Sequence, residues 1–279
     1  MSMNTNENKR IYKIMGALYG FAIGDAMGAT TEFMTTEGIK KQYGQVTDII
    51  GGGWLNIDIG MVTDDTQMML CVARGMMERL TFSGRMAQIA KNFETWLSNG
   101  PIDVGITYHT AISGNRGHRW DTWSVRNTER QRKRGRQDYG NGGLMRCLVP
   151  CLAKDLSLAR EQSKLTHTND VCDEAIVKYY QAVNNMMDDR AIPPCVHMEP
   201  TGHVINTLNN ALYWVRSTSG FREAIFGAVN DGGDADTIAA LAGGLAGALY
   251  GYTAIPSEWL EQLDKSVSEE LSHVAAWLT

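Results

Sequence analysis

Apolar residues recur at three- and four-residue intervals through most of the chain, and the alternation expected of strands is scarce. The spacing predicts helices over residues 11–27, 66–79, 84–98, 143–153, 157–165, 170–187, 203–218, 220–230, 237–250 and 257–278. The first of them carries Gly16, Gly20, Gly24 and Gly28 along one side, a ridge of small residues suited to tight helix packing. Glycine weakens a helix by roughly 1 kcal/mol relative to alanine, so close contact with a neighbour has to compensate. The run from Ile238 to Tyr252 is too short, and too rich in Gly and Ala, for a membrane span, and is expected to form a buried central helix.

No linker and no repeat of solenoid period interrupts this pattern. The expected architecture is all-α, a single compact orthogonal helical bundle over residues 11–279, preceded by a frayed polar tail at 1–10. One stretch departs from it. Residues 114–138 hold eight basic side chains (Arg116, Arg119, Arg126, Arg130, Arg132, Lys133, Arg134 and Arg136) against Asp121, Glu129 and Asp138, and are expected to form a long basic loop. Such a loop is either a solvated surface excursion or a flap that attracts phosphates or an acidic partner.

Composition narrows the class. A chain of 279 residues with 43% hydrophobic and 20% charged content suits a soluble globular protein, and a formal charge of −5 gives no reason to propose a nucleic-acid partner. The N-terminus lacks the apolar run of a secretory signal. Five cysteines, odd in number and without Cys-x-x-Cys spacing, indicate neither a disulfide framework nor a zinc knuckle, so a reducing cytoplasm is expected.

The chemistry concentrates in two acidic signatures, Thr63-Asp64-Asp65-Thr66 and Gly232-Gly233-Asp234-Ala235-Asp236-Thr237, each followed by an apolar helical stretch. Carboxylates so close in sequence resist burial unless a cation neutralises them. Oxygen donors without Cys or His suit magnesium or manganese better than zinc. A simpler account is helix capping, with Thr63 as N-cap and Asp64 and Asp65 in the first turn, and Asp234 capping the later helix. That later helix is apolar along its length, so its acidic start opens into a cleft, and capping does not need two carboxylates there. Glu32, just past the glycine-ridged helix, is a third oxygen donor.

The ordered set Gly24-Asp25…Glu32, Val62-Thr63-Asp64-Asp65-Thr66, Gly100-Pro101-Ile102-Asp103-Val104-Gly105, Gly140-Asn141-Gly142-Gly143-Leu144-Met145-Arg146, Thr166-His167 and Gly233-Asp234-Ala235-Asp236-Thr237 resembles the ADP-ribosylglycohydrolase family. The resemblance spans about residues 16–251 and looks strongest to the branch containing bacterial dinitrogenase reductase-activating glycohydrolase. It implies an all-α fold with two divalent cations, Mg2+ or Mn2+, at the base of a cleft. Thr63, Asp64, Asp65, Asp234, Asp236 and Thr237 match the family's metal ligands, and Glu32 matches a glutamate at the metal site of several members. Asp103 matches an aspartate facing the substrate ribose, to which proton transfer is ascribed. Asn141, Gly142 and Gly143 belong to a loop that touches the diphosphate, and His167 matches a histidine near the adenosine end. His203 stands where relatives in this branch often carry an aromatic that stacks on adenine.

Taken singly, several of these residues have plainer readings. An Asp after Gly-Pro often only shapes a turn. Gly-rich turns before helices are common, although their free N–H groups attract anions. A histidine in Leu165-Thr166-His167-Thr168-Asn169 is often a loop or capping residue. The expected activity is removal of ADP-ribose from a modified protein side chain, arginine before serine, nucleic acid or a small metabolite, with ADP-ribose as product. A non-catalytic relative, as in the crystallin of this family, and a metal-dependent phosphoesterase are the competing classes.

Overall fold

The computed structural model describes residues 5–135 and 137–279, and among them it is all-α. The helices are α1 (Thr5–Gly28), α2 (Thr36–Tyr43), α3 (Asp64–Met77), α4 (Phe82–Ser98), α5 (Ile106–Asn115), α6 (Trp123–Arg134) and α7 (Leu148–Leu152). They continue with α8 (Leu156–Lys164), α9 (Asp170–Met187), α10 (Val204–Ser217), α11 (Phe221–Asp231), α12 (Ala235–Tyr250), α13 (Ser257–Gln262) and α14 (Lys265–Leu278). The only extended pairing among these residues is two isolated bridges, Gly52 with Ile57 and Gly140 with His203.

The centre of the fold is the antiparallel pair α1 and α12, and glycine makes it possible. A Cβ on Gly24 would lie 2.0 Å from the Ala239 carbonyl oxygen, and one on Gly20 2.4 Å from that of Gly243. No side chain fits there, so the two backbones touch along the predicted ridge. Dispersion contacts at this density, with burial of Ala239, Ala242 and Ala246 on the facing helix, offset the low helix propensity of glycine. The pairing has a further consequence. Because the helices run in opposite directions, the end of α1 meets the start of α12, and a Cβ on Gly28 would lie 2.5 Å from Asp236 Cα. The remaining helices pack around this pair, and one apolar core runs from Ile14 to Ala275.

Several expectations are corrected. Residues 5–10, expected as part of a frayed tail, form the start of α1; residues 1–4 lie outside those described. The stretch 114–138, expected as a loop, holds the end of α5, a single 3-10 turn at Trp120–Thr122 and the twelve-residue α6. Arg, Lys, Gln and Glu are good helix formers, Trp123 and Asn127 bury one face at i,i+4 spacing, and Gly135 ends the helix in the left-handed region at φ 62°. Arg136 lies outside the described residues. The helix expected from 143 begins only at Leu148, because 142–146 fold into turns in which Leu144 N and Met145 N both bond to the Asn141 carbonyl. The helix expected over 257–278 breaks in two at Asp264, which caps α14 by accepting from the N–H groups of Ser266 and Val267. Helices α2 and α5 were not anticipated.

Candidate metal centre

Three helix ends deliver the acidic groups. The cap of α3 is held by a carboxylate of α1: Asp25, fully buried, accepts from Thr63 N (3.0 Å), Thr63 Oγ1 (2.7 Å) and Thr66 N (3.0 Å). Thr63 is the N-cap, accepting from Asp65 N at 3.4 Å, so the capping account of that threonine is correct as far as it goes. Asp64 and Asp65 follow in the first turn and are both buried. At α12 the N-cap residue is Asp234, yet its side chain makes no capping bond. It accepts instead from Asn141 Nδ2 at 2.5 Å. Thr237 Oγ1 then ties α12 to α3 by donating to Asp65 Oδ2 at 3.2 Å.

The result is two overlapping carboxylate groups. Single oxygens of Glu32, Asp234 and Asp236 lie within 4.8 Å of one another, and so do single oxygens of Asp64, Asp103 and Asp236. Asp236 belongs to both. Glu32 sits in the turn after α1, where Phe33 N donates to the Gly233 carbonyl and Gly233 N to that of Met34, so the chain beside Glu32 is stitched to the start of α12. Asp103 enters from the α4–α5 connection; it accepts from Val104 N at 2.8 Å, so it shapes its turn and also reaches the cluster.

Burial dominates the electrostatics. It drives the carboxyls of Asp64, Asp65 and Asp236 well above the usual carboxylate range, with neighbouring carboxylates adding to the effect. Glu32 is pushed up to about 8, chiefly by burial and despite the bond from Trp54, and Asp234 to about 6 despite bonds from Asn141 and Thr237. Burial also raises Asp25, partly offset by its bonds from Thr63 and Thr66. Asp65 Oδ1 is buried with no hydrogen-bond partner. An orphaned carboxylate oxygen inside a set of oxygen-only donors fits a hard divalent cation, which would supply both the missing contact and the missing charge. The helix dipoles of α3 and α12, whose N-termini meet here, are too weak to do this alone.

The expected ligand-binding residues form a second group beside the first. His167 is buried under the glycine loop: a Cβ on Gly142 would lie 2.8 Å from its Cε1, and one on Gly143 2.1 Å from Ser163 Oγ. Gly142 and Gly143 are therefore demanded by packing, and they do not open a helix N-terminus. Asn141 links this loop to Asp234. His203 caps α10, with Nδ1 accepting from Ile205 N at 3.3 Å, and stacks on Tyr139 with ring centroids 5.3 Å apart.

Family comparisons fit this geometry. The model of the ADP-ribosylglycohydrolase family matches residues 6–193 and 177–279. The chain belongs to this family. An ADP-ribosyl-[dinitrogen reductase] glycohydrolase from Rhodospirillum rubrum is 35% identical, over 93% of this chain and 92% of that protein. An ADP-ribosylarginine hydrolase from Serratia proteamaculans is 30% identical, over 98% of this chain and 80% of its own length. A solved ADP-ribosylglycohydrolase-related protein complex superposes with a TM-score of 0.74 at 27% identity, covering 97% of this chain and 98% of that one. The chain is accordingly a glycohydrolase enzyme with an all-α fold. Among the described residues no helix is long and apolar enough to cross a membrane.

Sequence reading missed three contributors. Asp25 was visible as a carboxylate interrupting an apolar, glycine-ridged helix, a placement that requires partners. Trp54, whose Nε1 donates to Glu32 Oε2 at 2.6 Å, and Phe33, 5.3 Å from the Trp54 ring, are 55% and 66% exposed at the rim. No local pattern marks either one, because they meet only through the fold.

Proposed function

We propose that this glycohydrolase cleaves the N-glycosidic bond joining ADP-ribose to a protein arginine, using two divalent cations, magnesium or manganese. The observation that carries the reading is the pair of carboxylate groups sharing Asp236. Thr63, Asp64, Asp65, Asp234, Asp236 and Thr237 would hold the ions, with Glu32 beside them. When bound, the cations supply charge neutralisation, a grip on the ribose hydroxyls and a lowered pKa for bound water.

The chain's own groups do the rest. Asp103, the less buried carboxylate of its group, would accept the proton of the attacking water and steady the positive charge that develops on the sugar. Water adds to the anomeric carbon, the carbon–nitrogen bond breaks, and the guanidine leaves with a proton. Asn141 orients Asp234, and Asp25 orients the whole Thr63–Thr66 turn. The glycine loop, tied to the metal centre by the bond from Asn141 to Asp234, would take the adenosine diphosphate end together with His167 and the stacked Tyr139 and His203. Arginine is favoured because relatives over most of this chain are named for dinitrogen reductase and for ADP-ribosylarginine.

The test is incubation with arginine-ADP-ribosylated protein and manganese or magnesium. Release of free ADP-ribose is expected, faster than from a serine-linked substrate. AMP with ribose phosphate would identify a phosphoesterase, and no release under either metal would refute the proposal.

A further inference from the structure

Two large aromatic side chains stand out into solvent beside the metal centre, and the backbone is constrained to keep them there. Phe33 is mostly exposed and adopts φ 60°, a left-handed conformation that a bulky residue enters only under constraint. The constraint is the pair of bonds to Gly233, from Phe33 N at 2.6 Å and to the Met34 carbonyl at 2.8 Å. Glycine or asparagine would take this backbone more readily, so the turn itself does not call for a phenylalanine.

Trp54 is mounted as firmly. Its turn is closed by Gly52 and Ile57, which exchange backbone bonds of 2.8 Å and 3.0 Å, and Gly51, Gly52, Gly53 and Asn56 all have positive φ. A Cβ on Gly53 would lie 2.1 Å from the Ala29 carbonyl oxygen, and Thr30 Oγ1 donates to the Gly51 carbonyl at 3.0 Å, so the turn is clamped onto the chain leaving α1. The bond from Nε1 to Glu32 then fixes the indole. Apolar residues scattered singly on a surface need no explanation. These two touch one another, stand on rigid mounts and adjoin a carboxylate of the metal centre, and rigid mounting of this kind preorganises a binding surface.

The opposite wall leads to another part of the ligand. Asp103 precedes α5, and the first turns of α5 share a cavity of about 370 Å³ with Asp138 and Thr166. Asp138 accepts from Gly140 N at 3.0 Å, so this cavity borders the glycine loop. Under the proposed function that side takes the adenosine diphosphate, which leaves the Glu32 wall for the departing group. An arginine guanidinium is planar and cationic at neutral pH, and the face of an indole attracts such a cation. Donation from Nε1 to a carboxylate polarises the indole further in that direction, and the acidic centre behind it complements the same positive charge. A serine-linked ADP-ribose presents only an uncharged oxygen there.

We infer that Trp54 and Phe33 are specificity-determining residues: the guanidinium of the ADP-ribosylated arginine stacks on the Trp54 ring, and Phe33 braces that ring. This assignment rests on the proposed function and names what reads the leaving group.

The first test is kinetic, with an ADP-ribosylated alkylguanidine as substrate and manganese-loaded protein. Trp54→Leu should raise KM about tenfold, the scale of a cation–π contact shielded from water, while affinity for ADP-ribose and bound metal hold. Trp54→Phe, which keeps a ring but loses the bond to Glu32, should recover most of that loss. Phe33→Asn should raise KM by a smaller factor and melt no lower than the unaltered protein, since asparagine suits φ 60°. Equal losses in Trp54→Phe and Trp54→Leu would assign Trp54 to holding Glu32 and overturn the inference. A parallel loss of affinity for ADP-ribose, which lacks the guanidinium, or an unchanged KM in all three variants, would overturn it too. The second test needs no turnover. In metal-loaded protein labelled with 15N-tryptophan, the Trp54 indole signal, assigned through Trp54→Phe, should shift saturably with the free alkylguanidine and not with the matching alcohol; no shift, or the same shift with both, overturns the inference. If the substrate yields no ADP-ribose while the indole signal still titrates, the proposed function falls and the guanidinium site stands.

Discussion

Seven carboxylates meet where α1 ends and α3 and α12 begin: Asp25, Glu32, Asp64, Asp65, Asp103, Asp234 and Asp236, most of them sealed from water. Helix α6 presents like charge just as densely, and spreads it outward. Arg132, Lys133 and Arg134 are exposed, Lys133 pairs with Glu129 at 2.9 Å, and Arg126 and Arg130 rest on the neutral oxygens of Gly114, Asn115 and Asn127. Solvent screens the second set, so it needs no counter-ion. Burial denies screening to the first, and the protein must either protonate those groups or neutralise them with cations. Like charge therefore points to a ligand where it is enclosed, and is uninformative where it is solvated.

The sharpest way to break this contrast is Asp236→Ala, which removes the residue common to both carboxylate groups. Turnover should fall about a thousandfold or more, with metal content, because several kcal/mol of transition-state stabilisation depend on the ions; wild-type turnover with full metal content would dissolve the assignment. Asp103→Asn separates chemistry from metal holding. Its rate should drop by roughly 10²–10⁴ while atomic absorption shows the metals retained, and an unchanged rate would leave Asp103 as a turn-former only.

A third effect lies in stability. Folded-state values raised above their unfolded ones, about 8 for Glu32 and about 6 for Asp234, stabilise the metal-free protein while the groups are protonated. That contribution is complete below the unfolded carboxylate range and is lost as pH rises through 6 and 8. Chelated protein should therefore melt at a lower temperature at pH 8 than at pH 5, and manganese should raise the melting temperature more at pH 8. Equal gains at both pH values would mean that the carboxyls are not protonated without metal. The smallest effect belongs to α6: Lys133→Gln combined with Arg134→Gln should alter stability by no more than about 0.5 kcal/mol, read by urea titration. A larger loss would show that the exposed charges of α6 carry structure.

The glycine ridge was legible because it is a local pattern with one physical meaning, whereas the acidic signatures also admitted helix capping, which Thr63 indeed performs. Four glycines a turn apart can only serve a close neighbour, and Gly24 and Gly28 do so against Ala239 and Asp236. Helix α6 was misread because its charge suggested a loop while its propensity favoured a helix, and the buried pair Trp123 and Asn127 decided the matter. The turns at 142–146 and the break at Asp264 depend on side chains bonding to nearby backbone, a competition that apolar spacing does not reveal. Trp54 and Phe33 were hidden for another reason. Each acts on a partner brought to it by folding, and nothing adjacent in the chain betrays the partner.

The central claim, that the buried acids exist to hold divalent ions, is tested most directly by calorimetric titration of metal-free protein with manganese at pH 7, repeated in buffers of different ionisation enthalpy. The account predicts about two ions bound per chain with net proton release, since raised carboxyls must ionise to coordinate. Binding without proton release, or no binding above that of the Asp236→Ala variant, would contradict it.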